Sequence, residues 1–419
     1  LAAANLFSAA LVVELVELPD LELTTFQRDA KPLPILPSIA SNLPDFTATA
    51  EGMLERINSL PIEELLDQAI SHGAGETTAV QVRAMLGLAD RGRVLDLIDT
   101  PIAIPSGDRP LPLGQVRGAI RFEAVDFAYP GRDPLLRQFS LEIPAGSTLG
   151  IVGATGSGKS TIVKLLLRLY ELQGGAIRLD GQPVDQLQLA DLRRAIGLVS
   201  QEVFLFHGTV AENIAFGLEL THTNKAIIEQ QVKKCAALVG LSSWKESFPH
   251  ELSGGMRQRI LIAAALAMKP ALLIADEPTT ALDVTVQAGI LRLLVRLRQQ
   301  LDLGILLITH DLAVVAQTCQ RVNVMYAGEL IEQNQVAPLF ATPRHPYTQF
   351  LIKSLPDLDE RSERVSIPGR PPALDNPPDG CRFHPRCPLV VDRCRTVDPE
   401  IITIAPGHRV ACHLVTEGM

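Results

Sequence analysis

The sequence has no surplus of positive charge and no long apolar run, and each absence excludes a class of function. Lys and Arg number 38 against 47 Asp and Glu, a formal net charge of -9. Such a surface repels a polyphosphate backbone, which argues against non-specific nucleic-acid binding and means that any phosphate site must be built locally. The longest uncharged apolar stretch in the middle of the chain, Ile260 to Met268, closes at Lys269-Pro270, far short of the roughly 18 residues needed to span a bilayer. The opening LAAANLFSAALVV lacks an initiator Met and a basic stretch and runs straight into Glu14, so it reads as an internal segment and not as a secretory signal. What is present is ordinary globular material: 419 residues, 47% hydrophobic and 20% charged. That length suits two to three domains at about 150 residues each.

Composition divides the chain into four zones. Residues 1 to about 72 place Pro32, Pro34, Pro37 and Pro44 ahead of a helical pattern in EGMLERINSLPIEELLDQAI; prolines exclude a helix interior and predict a largely irregular segment with one helix. Residues 73 to 117 hold a predicted helix around Gln81 to Ile98 and a connection through Pro101, Pro105, Pro110 and Pro112. From 118 to 345, β-branched runs alternate with 3.6-period segments: LGIVG, helix 159 to 171, AIGLVS, helix 257 to 268, ALLIAD, helix 284 to 300, GILLITH. This alternation predicts an α/β domain on a parallel sheet. Residues 346 to 419 hold four of the six cysteines among many prolines and read as a small irregular cap, cross-linked or metal-clamped.

GATGSGKS, Gly153 to Ser160, matches G-x-x-x-x-G-K-[ST], and it lies between a predicted strand and a predicted helix, as a phosphate loop must. Gly153, Gly156 and Gly158 let backbone N–H groups curl around phosphates, Lys159 reaches the β and γ groups, and Ser160, followed by Thr161, offers a hydroxyl to Mg²⁺. In ALLIADEP, four apolar residues deliver Asp276 and Glu277 to a strand's C-terminal edge, where such sheets bind ligands. Asp276 suits Mg²⁺, and Glu277 suits a base acting on the attacking water. Ser253-Gly254-Gly255 opens a further helix and forms a second anion-binding N-terminus.

Together, the phosphate loop, ALLIADEP, LSGGMRQR, Ala281-Leu282-Asp283, Gln201 in LVSQE and His310 in LLITHD resemble the nucleotide-binding subunit of ABC transporters. The resemblance covers residues 118 to 345 and implies a P-loop NTPase fold with a helical subdomain, ATP and Mg²⁺ as ligands, and hydrolysis coupled to transport. It also implies roles: Tyr129 stacks on adenine, Gln201 touches Mg²⁺ and water, His310 contacts the γ-phosphate, and Asp283 communicates across a dimer. In this family two chains pair head to tail, as homodimer or heterodimer, so that Ser253 of one reaches the phosphate held by Lys159 of the other. Permease subunits are the implied membrane partners, with a peptide-binding protein as an indirect one. The expected location is peripheral, on the cytoplasmic face of a bacterial inner membrane.

Finer resemblances differ along the chain. Residues 81 to 217, with RVLDLIDTP and LADLRRAIGLVSQEVFLFHGTVAENIAFG, look like the exporter type, whereas FPHELSGGMRQR and TPRHPYTQFLIKSLP look like the ATPase of dipeptide and oligopeptide importers. Residues 1 to 72 resemble the tail of a mammalian-cell-entry domain protein. Peptide import is the leading expectation. Its alternatives are lipid or drug export, and a composite chain that binds ATP without coupled transport or acts as a lipid-trafficking scaffold.

Cys381, Cys387, Cys394 and Cys412 are spaced C-x₅-C-x₆-C-x₁₇-C, which in a reducing cytosol points to Zn²⁺ or an iron-sulfur cluster, with free thiols as the alternative. The resembling importer tails carry the same four cysteines and in some members bind a 4Fe-4S cluster. His384, His408 and His413 are spare candidate ligands. Cys235 and Cys319 fall in predicted helices and read as buried apolar fillers.

Overall fold

The computed structural model describes residues 104–355 except His222 and Ala281, then 367, 369–372 and 377–416. The chain divides after Pro105, so apart from Ile104 and Pro105 the described residues belong to the unit Ser106–Met419. The irregular segment expected over residues 1 to 72 and the helix expected around Gln81 to Ile98 lie outside the described residues.

Within that unit the chain runs through β1 (Ile120–Phe127), β2 (Leu136–Ile143), β3 (Thr148–Val152), α1 (Lys159–Leu166), β4 (Gly174–Leu179), β5 (Gln182–Pro183), α2 (Leu189–Ala195) and β6 (Ile196–Val199). Three helices follow: α3 (Val210–Leu220), α4 (Lys225–Val239) and α5 (Gly254–Ala267). Strands and helices then alternate through β7 (Leu272–Asp276), α6 (Val284–Leu301), β8 (Gly304–Thr309), α7 (Leu312–Thr318), β9 (Arg321–Tyr326) and β10 (Glu329–Gln335). Beyond them lie α8 (Val336–Ala341), α9 (Pro346–Lys353), β11 (Ile401–Ala405) and β12 (His408–Ala411).

The large sheet has the order β11-β12-β10-β9-β3-β8-β7-β6, and a smaller one the order β2-β1-β4-β5. Strands β9, β3, β8, β7 and β6 pair in parallel. Every residue of β3 and β8 is buried, because a parallel strand covered on both faces must be apolar throughout, which is why these segments read as nearly unbroken apolar runs. The expected helix 159 to 171 stops at Leu166, with Arg168 in the left-handed region at φ 49°. β3 lies in the exporter-like stretch yet pairs with β8 and β9 of the importer-like one, and β6 pairs with β7. The two halves therefore form one sheet.

Helices α3, α4 and α5 form a subdomain beside this sheet, packed through Ile214, Val232, Ala236, Ile260 and Ala263. Its ends are set by side chains. The Thr209 hydroxyl accepts from Glu212 N at 3.2 Å while the Glu212 carboxylate accepts from Thr209 N at 2.6 Å, a capping box that starts α3. Ser253 starts α5 by accepting from Met256 N at 3.3 Å.

The tail, expected as an irregular cap, extends the large sheet. β12 pairs with β10 through Glu332↔Val410 and Gln333↔Arg409, and β11 pairs with β12. A buried aromatic group of Tyr326, Tyr347 and Phe383 fastens the tail to β9, with ring centroids 4.7 to 5.4 Å apart. Cys235 is buried in α4, and Cys319 follows α7 partly buried; burial pushes their thiols up to about 11 and about 12, as suits inert fillers.

His345 is 1% exposed, and burial pushes its pKa down from 6.5 to about 3. The neutral Nδ1 accepts from Tyr347 N at 3.0 Å and caps α9. Between these two values the unfolded chain takes up a proton that the folded chain refuses. The stability due to a neutral His345 is therefore full above pH 6.5 and is lost as pH falls through that window, by up to ~1.4 kcal/mol per pH unit. His345→Asn keeps a capping oxygen without a titrating ring and is expected to flatten the acid limb of a plot of urea midpoint against pH. A limb identical to the parent's would remove this assignment.

Candidate functional site

Four segments converge on a cleft of about 470 Å³. The loop from β3 to α1 lines it with Thr155, Gly156, Gly158, Lys159, Ser160 and Thr161, and the turn after β1 adds Tyr129, Arg132, Asp133 and Leu135. Gln201 follows β6 and Glu277 follows β7. Gly158 takes φ 97°, a conformation costly for any side chain, and it is the N-cap of α1. The unpaired N–H groups and the positive end of that helix thus lie at the cleft. Gly153 has no room for a Cβ, which would stand 2.4 Å from the Met325 carbonyl. A slightly larger cavity, about 510 Å³, lies between β10 and the β11–β12 hairpin and contains none of the phosphate-loop or carboxylate residues.

Lys159 is 5% exposed, and its Nζ donates to the carbonyls of Gly153 at 2.8 Å and Ala154 at 3.0 Å. Burial lowers its pKa, against the opposing pull of Glu277 and Asp276. Asp276 is held the other way: burial raises its pKa, a hydrogen bond from Ser160 lowers it, Glu277 raises it and Lys159 lowers it. Its Oδ1 is buried without a hydrogen-bond partner. An orphaned carboxylate oxygen beside a serine hydroxyl is the donor set that a hard divalent cation takes, so the residues present fit Mg²⁺. Glu277 stands in the left-handed region at φ 46°, its N–H held by Ile308 O at 2.8 Å. Its Oε2 accepts from Thr280 Oγ1 at 2.9 Å and lies 3.2 Å from His310 Nδ1. A strained backbone at a carboxylate pinned by two side chains is a feature of functional sites. Tyr129 bonds Thr161 through its hydroxyl at 3.0 Å and packs edge-on against Phe127 and Tyr170, with Lys164 Nζ 5.4 Å from its ring centroid.

Two family models match the chain: ABC transporter over residues 136–280, and oligopeptide/dipeptide transporter, C-terminal region, over 331–394. The chain is 42% identical to a probable peptide ABC transporter ATP-binding protein, y4tR, of Sinorhizobium fredii, a match covering 65% of this chain and 87% of that protein. With the dipeptide transport ATP-binding protein DppD of Escherichia coli it shares 37% identity over 66% of this chain and 89% of DppD. The chain belongs to the ABC transporter ATPase family. Oligopeptide transport ATP-binding protein AppF of Bacillus subtilis is 41% identical over 66% of this chain and 88% of its own. Among solved structures, cbiO1 of Clostridium perfringens, part of the ABC transporter complex cbiONQ, matches with a TM-score of 0.51 and 30% identity, covering 53% of this chain and 90% of that one.

In this ABC ATPase the phosphate loop, Tyr129, Gln201 and Glu277 share the cleft, and His310 reaches it through Glu277. Ser253, Gly254, Gly255 and Asp283 are not among its lining residues. Ser253, Gly254 and Asp283 are exposed, as is Val284 at 81%, while Gly255 is buried with its Cβ position 2.3 Å from Val286. Sequence reasoning missed Arg132, Asp133 and Leu135 on the cleft wall. The turn Tyr129-Pro130-Gly131, closed by Arg132 N donating to Tyr129 O at 3.0 Å, was the available signal.

The tail cysteines gain no support as a metal centre. Cys381 N bonds Cys394 O at 2.9 Å, and Cys381 and Cys387 each sense Cys394 and Cys412 electrostatically. Even so, among the described residues no group of three or more His, Cys, Asp or Glu side chains is placed to hold a metal ion. Burial pushes the Cys381 thiol up to about 12 and raises those of Cys387 and Cys412. The spacing led to iron-sulfur or Zn²⁺; the observed arrangement gives neither any support. His384, His408 and His413 have other partners: Cys381 O, Glu332 and Val397 O.

Proposed function

We propose that this chain is the ATP-binding and ATP-hydrolysing motor subunit of a peptide importer. The observation that carries the reading is the single cleft joining Tyr129, the phosphate loop, Gln201 and Glu277, while Ser253 and Asp283 stand exposed elsewhere. Tyr129 offers its ring to adenine. Lys159 and the first turn of α1 hold the β- and γ-phosphates, and Gly153, Gly156 and Gly158 shape the loop around them. Ser160 and Asp276 are the residues that hold Mg²⁺, with Gln201 at its edge; when bound, the ion neutralises charge on the phosphates. Glu277 takes the proton of the attacking water, and His310, 3.2 Å from it, meets the γ-phosphate.

Each site is completed by Ser253, Gly254 and Gly255 of a second ATPase chain paired head to tail, with Asp283 at the join. Among the described residues no helix is long and apolar enough to cross a membrane. The proposed place of action is peripheral, on permease subunits at the cytoplasmic face of a bacterial inner membrane, a reading supported by the transport ATP-binding proteins the chain resembles. Peptides are the proposed cargo because y4tR, DppD and AppF carry peptide, dipeptide and oligopeptide transport in their names. A peptide-binding protein is an indirect partner. Purified chain is expected to hydrolyse ATP only with Mg²⁺, at a specific rate that rises steeply with protein concentration. A specific rate independent of concentration would remove the paired site, and absence of hydrolysis at every concentration would remove the motor.

A further inference from the structure

The tail reaches the phosphate loop from behind, through one hydroxyl. Helix α9 begins at His345-Pro346-Tyr347, where Glu332 of β10 fixes the turn: its buried carboxylate accepts from Arg344 N at 2.8 Å, His345 N at 2.9 Å and His408 Nε2 at 2.8 Å. His345 then caps the helix on Tyr347 N. Tyr347 is 1% exposed, its ring wedged against Tyr326 and Phe383. From there its hydroxyl accepts the N–H of Ala154 at 3.3 Å.

That N–H belongs to the peptide unit whose carbonyl, on Gly153, accepts from Lys159 Nζ at 2.8 Å. One rigid peptide plane is thus held on one side by Tyr347 and on the other by the lysine. We propose that Tyr347 is a positioning residue of the nucleotide site: it orients the Gly153–Ala154 peptide and so fixes where the phosphate loop presents Lys159. The tail supports the cleft at a second point, since the buried Arg382 donates to the carbonyl of Leu135, which lines the cleft, at 3.2 Å and pairs with Glu329 at 2.8 Å. Burial raises the Tyr347 hydroxyl to about 12, so it stays neutral and accepts this bond across the working pH range.

The inference rests on the ATP-binding reading and is tested beside it. Tyr347→Phe keeps the ring and its packing and deletes only the acceptor. A buried N–H left without a partner shifts the loop toward arrangements that bind less well, so Kd for MgATP and for MgADP is expected to weaken by the same factor, roughly 3- to 10-fold. KM for ATP should rise in step while kcat at saturation stays within about twofold, because the γ-phosphate chemistry is untouched. A purely structural loss would instead lower kcat through a smaller active fraction at unchanged KM. Gln349→Ala provides the contrast: it breaks the bond from Gln349 Nε2 to Pro343 O in the same turn without touching the loop, and should leave both Kd values at the parent's. Unchanged Kd in Tyr347→Phe, an equal loss in Gln349→Ala, or a Tyr347→Phe chain that does not fold would overturn the proposal. Failure of the parent chain itself to bind MgATP would overturn the ATP reading, and this inference with it.

Discussion

Glu277→Gln is expected to bind ATP as the parent does and to lose about 10²- to 10⁴-fold in turnover, the usual contribution of a positioned base. The substitution is nearly isosteric, so the contacts around it survive. The amide oxygen can still accept from Thr280 Oγ1, now 2.9 Å away, and from a His310 Nδ1–H, now at 3.2 Å. Asp276 and Ser160, the proposed Mg²⁺ donors, are not altered. What disappears is the only function an amide cannot supply, acceptance of the water's proton. In the proposed head-to-tail pair, ATP joins the two chains and hydrolysis releases them, so the variant should also accumulate as an ATP-bound dimer, visible as a shift in gel-filtration volume that ADP does not cause. Parent-like turnover would show that the proton goes elsewhere. Loss of ATP binding would show instead that Glu277, at φ 46°, is needed to shape the loop.

Much of this site was legible because its chemistry is written in contiguous segments. Gly153 to Ser160 and Leu272 to Glu277 each combine a cleft-lining residue with the strand or helix that presents it, and periodicity placed β3, β7 and α5 correctly. The smaller sheet was not legible in the same way. The alternation of buried and exposed residues along β1 is interrupted by a bulge at Ala124, and its pairing with β4, as in Ile120↔Leu179, is a long-range matter. Tyr347 was out of reach for a stronger reason. It lies 193 residues from Ala154, and no spacing rule connects a tail helix to a loop so far back in the chain. The cysteines show the limit of spacing as a signal. Their spacing carries a ligand-like rhythm, but spacing alone fixes no geometry: backbone bonds such as Cys381 N to Cys394 O draw the segments together, and among the described residues no metal-holding set of side chains is found. β11 and β12 were hidden by the prolines around them, although β12 completes its pairing through only two residues of β10.

Two crippled variants, inactive apart, are expected to recover hydrolysis when mixed. Lys159→Ala removes the ammonium proposed to meet the phosphates, and Ser253→Glu sets a carboxylate where the second chain's γ-phosphate would arrive, so neither homodimer is expected to have a working site. In a head-to-tail heterodimer the two lesions fall together. One site combines the damaged loop with the damaged Ser253 position, and the other has an intact loop facing an intact Ser253. Random pairing at equal amounts leaves roughly a quarter of all sites whole, and hydrolysis should peak at the equimolar mixture. The structure supplies the reason to expect complementation: Ser253 caps α5 at an exposed end and is absent from the lining of the cleft that Lys159 helps to form, and Val284, next to Asp283 in the chain, is 81% exposed. A chain that completed its own site would bury those residues against its own cleft, and its two lesions would then be independent losses that mixing cannot repair. Absence of recovery at every ratio, with both variants folded and able to pair, would assign the Ser253 end a role outside the partner's nucleotide site.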